Sequence, residues 1–308
     1  MNHAPVVCVA ICTRDRTDLL GLALESLRRQ DCSGFEVIVV DNCPSSNDTR
    51  DLVARHGFCY AVEPHAGHSW ARNKAIAECR GEILAFMDDD MIADPHWVSA
   101  IVEAFADPEV MCLTGLVLPT ALDTPAQRLF EEGYGGFSNG TEPKRFGPET
   151  AWKNGLYGLC HDAGPMMAFR TPVFKEVGLF DPALGLPVGG AEDIDMLHRI
   201  ARAGYAIAYV PEAVRLHHHR RDYEGLRRQL AGYGQATMAL LTKSFIHEPD
   251  LRLRILKRTV GYAFYGILTP LIGGRLPASL VLAEGLGAVK GPWAYLRSVG
   301  RTRRLNPL

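Results

Sequence analysis

The sequence has no Cys-x-x-Cys pair, although it contains eight cysteines (Cys8, Cys12, Cys32, Cys43, Cys59, Cys79, Cys112 and Cys160). Scattered thiols, several inside apolar runs, argue against a structural zinc site and read as reduced packing residues of a cytosolic protein. An apolar strand begins within six residues of Met1, which leaves no room for a signal peptide. No uncharged stretch reaches the ~20 residues of a membrane-spanning helix. The longest covers residues 259–274, sixteen in all, and contains Pro270. Internal repeats and low-complexity segments are lacking. So is a Gly-rich phosphate loop with a lysine after the first strand, where Thr13-Arg14-Asp15-Arg16 stands instead. Acids nearly vanish at the C-terminal end: Glu284 is the one acid of residues 251–308, against ten Lys/Arg.

What is present is an acidic body with a basic tail. The formal net charge of −2 over 308 residues divides into +9 for residues 251–308 and −11 for residues 1–250. That asymmetry suggests contact between the tail and an anionic surface. Its basic residues are interleaved with Leu, Ile, Val and Trp and form no nucleic-acid module, so no nucleic-acid partner is expected.

The length fits one extended α/β domain, or one domain plus an appendage. Strands are expected at 6–11, 35–40, 58–62 and 83–88, with helices at 17–30, 48–56 and 69–79 between them. This alternation predicts a parallel, helix-covered sheet of nucleotide-binding type. A helix near 95–106 and a strand near 110–118 follow. The Gly-rich, aromatic stretch 133–159 has little periodicity, and irregular segments of that length commonly bind substrate. Regular structure resumes at 165–169, with a helix at 192–203 and two strands at 205–210 and 213–217.

The chemistry gathers at strand ends. Asp88-Asp89-Asp90 directly follows the apolar run Ile83-Leu84-Ala85-Phe86-Met87. The carboxyl end of a parallel strand is where open α/β sheets place ligands. Three adjacent carboxylates there require a cation or hydrogen-bond donors, and hard oxygen ligands suit Mg²⁺ or Mn²⁺. Arg72, near a helix N-terminus, could pair a diphosphate or lie in a surface ion pair. Asp41 could accept from a base or ribose, or cap the next turn. Glu192 and Asp193 follow Gly189-Gly190-Ala191, where the helix dipole alone accounts for one acid. Strand alternation puts His217 and His219 on one face and His218 on the other, as a surface cluster or as a source of one metal ligand.

Taken together, these motifs resemble the family 2 glycosyltransferases of the GT-A fold. The resemblance runs from Val6 to about Tyr233. Its carriers are Val9-Ala10-Ile11-Cys12-Thr13-Arg14-Asp15-Arg16, Phe35-Glu36-Val37-Ile38-Val39-Val40-Asp41-Asn42, Ala71-Arg72-Asn73, Ala85-Phe86-Met87-Asp88-Asp89-Asp90, Ala191-Glu192-Asp193-Ile194-Asp195 and the His217 region. It implies a Rossmann-like, mostly parallel sheet flanked by helices, with a small antiparallel acceptor-side part and a helical C-terminal extension. It also implies a metal-dependent, inverting enzyme that moves a sugar from a nucleotide-sugar donor, with UDP the expected nucleotide, to a hydroxyl on a sugar, lipid-linked or small-molecule acceptor. Thr13, Arg14, Asp41, Arg72, Asp88 and Asp89 match the nucleotide side. Asp88 and Asp90 match the Asp-x-Asp metal motif, which His217 completes. Asp193 matches the catalytic base, with Glu192 beside it toward the acceptor. Two departures stand out: Gly164-Pro165-Met166, where the family often has a polar residue, and His68, at a position more often apolar.

The expected division is a transferase domain at 1–244 and a helical, basic extension at 245–308. In the extension, Arg252, Arg254, Lys257, Arg258, Arg297, Arg301, Arg303 and Arg304 flank apolar and aromatic residues. That arrangement suits a cytoplasmic protein held peripherally on the anionic inner face of the plasma membrane, or else a helical appendage packed on the catalytic domain. A sugar-phosphate nucleotidyltransferase would share the sheet but should show the missing phosphate loop. A non-catalytic nucleotide-sugar-binding module would be expected to lack Asp193.

Overall fold

The computed structural model describes residues 7–147, 167–184 and 190–305. The first part of the expected strand at 165–169, the Gly164-Pro165-Met166 departure and Gly189 lie outside the described residues. Two units emerge. One comprises residues 1–120, 137–180 and 196–218, and the other 121–136, 181–195 and 219–308.

Among the described residues, the first unit is built on a nine-stranded sheet. β1 (Val7–Thr13), β2 (Phe35–Asn42), β3 (Cys59–Glu63) and β4 (Ile83–Asp88) lie parallel in the order β3-β2-β1-β4. β8 (Ala168–Arg170), β6 (Val110–Pro119), β9 (Ala206–His217) and β5 (Met91–Ala93) continue it, and β7 (Lys144–Phe146) pairs with β9. The long pairings are parallel. The antiparallel ones, made by β5, β7 and β8, register three residues or fewer.

Alternation decides which helix covers which face. Val7, Val9 and Ile11 of β1 pack in one core with α1 (Thr17–Leu27) and α4 (Trp97–Ala104). Cys8, Ala10 and Cys12 face the other core, with α3 (His68–Glu78), a short helix Val173–Val177 and residues Met196–Ala201. Thus a run that is apolar at every position is one strand buried on both sides.

β9 is one strand where two were expected. Pro211 lies inside it, in the stretch between its pairing with β7 (207–209) and its pairing with β5 (215–217), where no ladder partner on that edge needs an N–H. The register with β6 slips at the same level: Gly115 pairs with Val210 and Val117 with Arg215, so the extra residues, 211–214, lie in β9. Gly115 is required there, because a Cβ would sit 2.2 Å from the Ala213 carbonyl oxygen. The three-residue strands β5 and β7 were not anticipated; they are too short to leave a periodic signal.

The second unit is helical. A capping box at Thr124 starts Pro125–Arg128, which widens into a π-helical turn at Leu129–Tyr134. A long helix, Tyr223–His247, is capped by Asp222, which accepts from Gly225 N at 2.7 Å. It runs through residue 244, so the expected domain boundary falls in its last turn. Arg252–Gly261, a second π-helical turn at Tyr262–Leu268 and Thr269–Gly273 lead into the C-terminal helix Ala278–Leu305. Glycines let the two long helices meet backbone to backbone: a Cβ at Gly287 would lie 1.9 Å from the Ala231 carbonyl oxygen, and one at Gly234 would lie 2.0 Å from that of Glu284. Among the described residues, no helix is long and apolar enough to cross a membrane.

Candidate active site

In the first unit, β1 lies between β2 and β4, so the carboxyl ends of three strands meet where the connections leave in opposite directions. Thr13 is in register with Asp41 on one side, and Cys12 with Asp88 on the other. Residues Asp88, Asp89 and Asp90 link β4 to β5, and the three carboxylates divide. Asp89 turns inward and is 4% exposed; it accepts from Thr13 Oγ1 at 2.7 Å and from Arg16 Nη1 at 2.5 Å. Burial, with Asp90 close by, pushes its pKa up to about 6 against the pull of Arg16. Thr13 therefore binds an acid of the turn directly. Asp90 accepts from Arg16 Nη2 at 2.8 Å through Oδ2, while its Oδ1 lies 3.6 Å from His217 Nε2.

That second approach follows from register. Met91 pairs with His217 in the β5–β9 ladder, and the His218 N–H donates to the Asp90 carbonyl at 3.0 Å. The Phe137 ring meets His217 edge-on at 5.0 Å. The strand stops at His217, so the expected alternation does not extend to His219, whose Nε2 pairs with Glu131 at 2.9 Å in the second unit.

Asp88 remains partly exposed, with Arg72 Nη2 at 3.9 Å from its Oδ1. Arg72 is not a surface ion pair. It is 4% exposed, and its guanidinium stands 5.7 Å from the Phe86 ring centroid and 5.3 Å from that of Phe180. Asn73 fixes Phe180 by a reciprocal pair of hydrogen bonds, each 2.9 Å. Gly67, at φ 147°, turns the chain into this helix and donates to Asn42 Oδ1 at 2.9 Å.

Asp41 is fully buried, and the N-cap of the following helix is Asn47 rather than Asp41, although the Thr49 hydroxyl in its first turn pulls on the Asp41 carboxyl. Its Oδ2 accepts from Tyr60 at 2.9 Å, and its Oδ1 has no hydrogen-bond partner in the protein. Burial raises the Asp41 carboxyl, and burial together with Asp41 pushes the Tyr60 hydroxyl to about 12. A buried carboxylate oxygen left over suits a donor on a ligand. Arg14, in contrast, is exposed, and its Nε lies 3.9 Å from Asp15 Oδ2.

Two arginines were not singled out in advance. Arg16 was visible as part of the first motif, but nothing in spacing says that it forks two acids 73 and 74 residues away. Arg215 is fully buried beneath the turn; it donates to the Phe86 carbonyl at 2.9 Å and lies over the Trp97 ring at 4.8 Å. Burial pulls its pKa down to about 9, against the attraction of Asp88. A lone arginine in an apolar strand is the signal that could have exposed it.

Asp90 Oδ1 and His217 Nε2 make a pair that fits a hard divalent cation drawing its other ligands from diphosphate and water. Among the described residues, no three His, Cys, Asp or Glu side chains gather as a complete protein cage. In the second unit, Glu192 and Asp193 open the helix Glu192–Arg202. Glu192 is buried at 1% exposure, and a Cβ at Gly190 would come within 2.8 Å of its Oε2. Asp193 is half-buried and accepts from the Ile194 N–H at 2.7 Å.

Comparison with known proteins settles the class. Residues 8–178 match the family described as glycosyl transferase family 2. The chain belongs to that family. A pre-mycofactocin glycosyltransferase of Mycobacterium tuberculosis is 26% identical over 285 residues, 90% of this chain and 55% of the relative. The chain thus spans about half the length of that relative. A glucosyl-dolichyl phosphate glucuronosyltransferase of Haloferax volcanii is 24% identical, over 86% of this chain and 97% of the relative. Among solved structures, a mannosyltransferase of Pyrobaculum calidifontis, in complex with GDP-Man and Mn²⁺, superposes with a TM-score of 0.57. It is 19% identical and covers 99% of this chain and 88% of its own. Residues 1–349 of TarS from S. aureus give 0.53 at 18% identity, over 97% and 91%. These likenesses carry the fold: a mixed α/β unit with a mostly parallel central sheet. The family match leaves the nucleotidyltransferase alternative without support.

Proposed function

We propose that the protein is a metal-dependent, inverting glycosyltransferase that moves a sugar from a nucleotide diphosphate, UDP first, to a hydroxyl of a sugar, lipid-linked or small-molecule acceptor. The observation that carries this reading is the carboxylate turn at the end of β4, with Asp90 facing His217 and Asp88 beside a buried arginine. Asp41 Oδ1 is assigned to a donor of the base or ribose, Asp88 to the ribose and cation, and Arg72 to the diphosphate. Thr13 and Asp89 act on the nucleotide side through the turn they hold, and Arg14 is left for the outer face of the same loop. Asp90 and His217 would hold the Mn²⁺ or Mg²⁺ ion, which supplies charge stabilisation as the sugar–phosphate bond breaks.

Inversion needs one base on the face opposite the leaving group. Asp193 is given that role, taking the proton of the acceptor hydroxyl as its oxygen attacks the anomeric carbon, with Glu192 contacting the acceptor. Support comes from the position of both acids in the first turn of one helix. Mass spectrometry after incubation with UDP-, dTDP- and GDP-sugars and Mn²⁺ tests the assignment. A glycosylated acceptor, or nucleoside diphosphate released from one donor, is expected. No turnover of any nucleotide sugar by the intact protein would overturn it.

The reading extends to place: a cytoplasmic protein resting on an anionic bilayer. On the C-terminal helix, exposed Leu282, Leu286, Val289, Trp293 and Leu296 recur at spacings of four and three, with Lys290, Arg297 and Arg304 beside them every seventh residue. The acid of this segment, Glu284, faces inward onto Tyr262 at 2.7 Å. A second copy of the helix would meet only like charges, whereas lipid head groups complement them. The name of the Haloferax relative includes a dolichyl phosphate, which fits a lipid-linked acceptor. Full-length protein should sediment with phosphatidylserine vesicles at low salt and be partly released by high salt. A variant with Leu286→Glu, Val289→Glu and Trp293→Glu should stay in solution, and equal sedimentation of the two would reject the membrane contact.

A further inference from the structure

Lys243 lies one turn before the end of the long helix Tyr223–His247, and its ammonium binds two carboxylates at once. Nζ is 2.8 Å from Asp181 Oδ2 and 2.7 Å from Asp195 Oδ1. Asp195 is 2% exposed and belongs to the first turn of the helix that starts at Glu192, where its N–H donates to the Ala191 carbonyl at 3.0 Å. Asp181 stands fourteen residues earlier. The two acids therefore bracket the segment that carries Glu192 and Asp193, and a single cation from another helix ties both ends. Tyr295 of the C-terminal helix packs beside the same group: burial raises its hydroxyl and the charges of Asp181 and Asp195 add to the effect. Its oxygen meets His247 Nε2 at 3.3 Å.

We propose that Lys243 is a positioning residue for the acidic turn at 192–193; this rests on the assignment of Asp193 as the base. A largely buried ion pair contributes little net stability once desolvation is counted, yet removing its cation increases the repulsion between the two carboxylates. What the pair does supply is position. With Asp195 fixed, helical geometry fixes Asp193 two residues and Glu192 three residues before it. A base displaced by about 1 Å loses on the order of 10²-fold in rate without any change in how the nucleotide is held. Neither the family motifs nor any local pattern marks Lys243, which lies 48 residues from Asp195 in the chain.

Three variants test this: Lys243→Met, Lys243→Arg, and Asp193→Asn as reference. Each is measured for nucleoside diphosphate release from the nucleotide sugar turned over in the donor panel, for UDP affinity by calorimetry with Mn²⁺, and for amide hydrogen exchange. Lys243→Met should lower kcat by about 10- to 100-fold while UDP affinity stays within about twofold, and should speed exchange at residues 190–196 alone. Lys243→Arg should recover much of the loss. Unchanged kcat in Lys243→Met would overturn the proposal. So would a joint fall of kcat and UDP affinity with exchange raised throughout, which marks a merely structural lysine. If Asp193→Asn turns over normally, the base assignment fails by itself, and exchange at 190–196 then decides whether Lys243 holds the turn.

Discussion

Arg16 and His217 address opposite oxygens of one carboxylate: Arg16 Nη2 is 2.8 Å from Asp90 Oδ2, and His217 Nε2 is 3.6 Å from Asp90 Oδ1. The arginine thus compensates the acidic turn while leaving the Oδ1 side toward the histidine. Arg16→Met should destabilise the protein by about 1–3 kcal/mol, since the pair is largely but not wholly buried. Thermal melts should register a drop of roughly 2–8 °C. Mn²⁺ should raise the melting temperature of Arg16→Met more than that of the unaltered protein, because the cation takes over part of the compensation. An equal Mn²⁺ response in both would separate Arg16 from the metal-binding side.

The proposed metal dependence is tested at the same carboxylate. Transfer should vanish in excess chelator and return with Mn²⁺ or Mg²⁺, and Asp90→Ala should abolish it. His217→Ala should instead raise the Mn²⁺ concentration needed for half-maximal rate, since a ligand supplied by water can replace it only in part. Full activity in chelator would remove Asp90 and His217 from this role.

Asp193→Asn keeps the shape of the side chain and removes its capacity to take a proton. Turnover should fall by about 10²-fold or more, with UDP affinity nearly unchanged. Weakened UDP binding at unchanged turnover would move Asp193 to the donor side.

Glu284 gives a pH test away from the chemistry. Burial raises its carboxyl above the usual 4.5, against hydrogen bonds from Tyr262 and Tyr134. The folded state therefore holds the proton more tightly than the unfolded chain. Its contribution to stability is fully present below 4.5 and is lost as pH rises through the folded value. Glu284→Gln, which stays neutral, should melt close to the unaltered protein at pH 4.5 and above it at pH 8. A difference in melting temperature that does not grow with pH would show that burial does not raise the Glu284 carboxyl.

The parallel half of the sheet was legible because β1, β4 and, after Glu36, β2 are apolar runs that end in polar motifs. The residues around Asp88 and His217 were legible as a family pattern. What escaped was whatever depends on contacts far apart in sequence. Thr13 bound to Asp89, Arg16 forked across the turn and Arg215 beneath it are set by strand order, which no local window contains. The end of β9 at His217 separated His219 from His217, which strand alternation had placed on one face. In the tail, charge and exposed apolar residues could be read directly, but the close approach at Gly234 and Gly287 could not, because a glycine inside a helix usually signals only weak propensity.

That glycine seam decides which shorter versions of this chain could exist as folded proteins. A chain ending at residue 244 would leave the helix Tyr223–His247 with a bare strip of backbone and small side chains facing water, and Lys243 would sit at its frayed end. Loss of activity on such a truncation would therefore say nothing about membranes. It would reflect the loss of a wall. The C-terminal helix and the acidic segment 181–195 share one support, so substitutions in one should be tolerated chiefly when the other changes with it, and grafts between relatives should carry both pieces together.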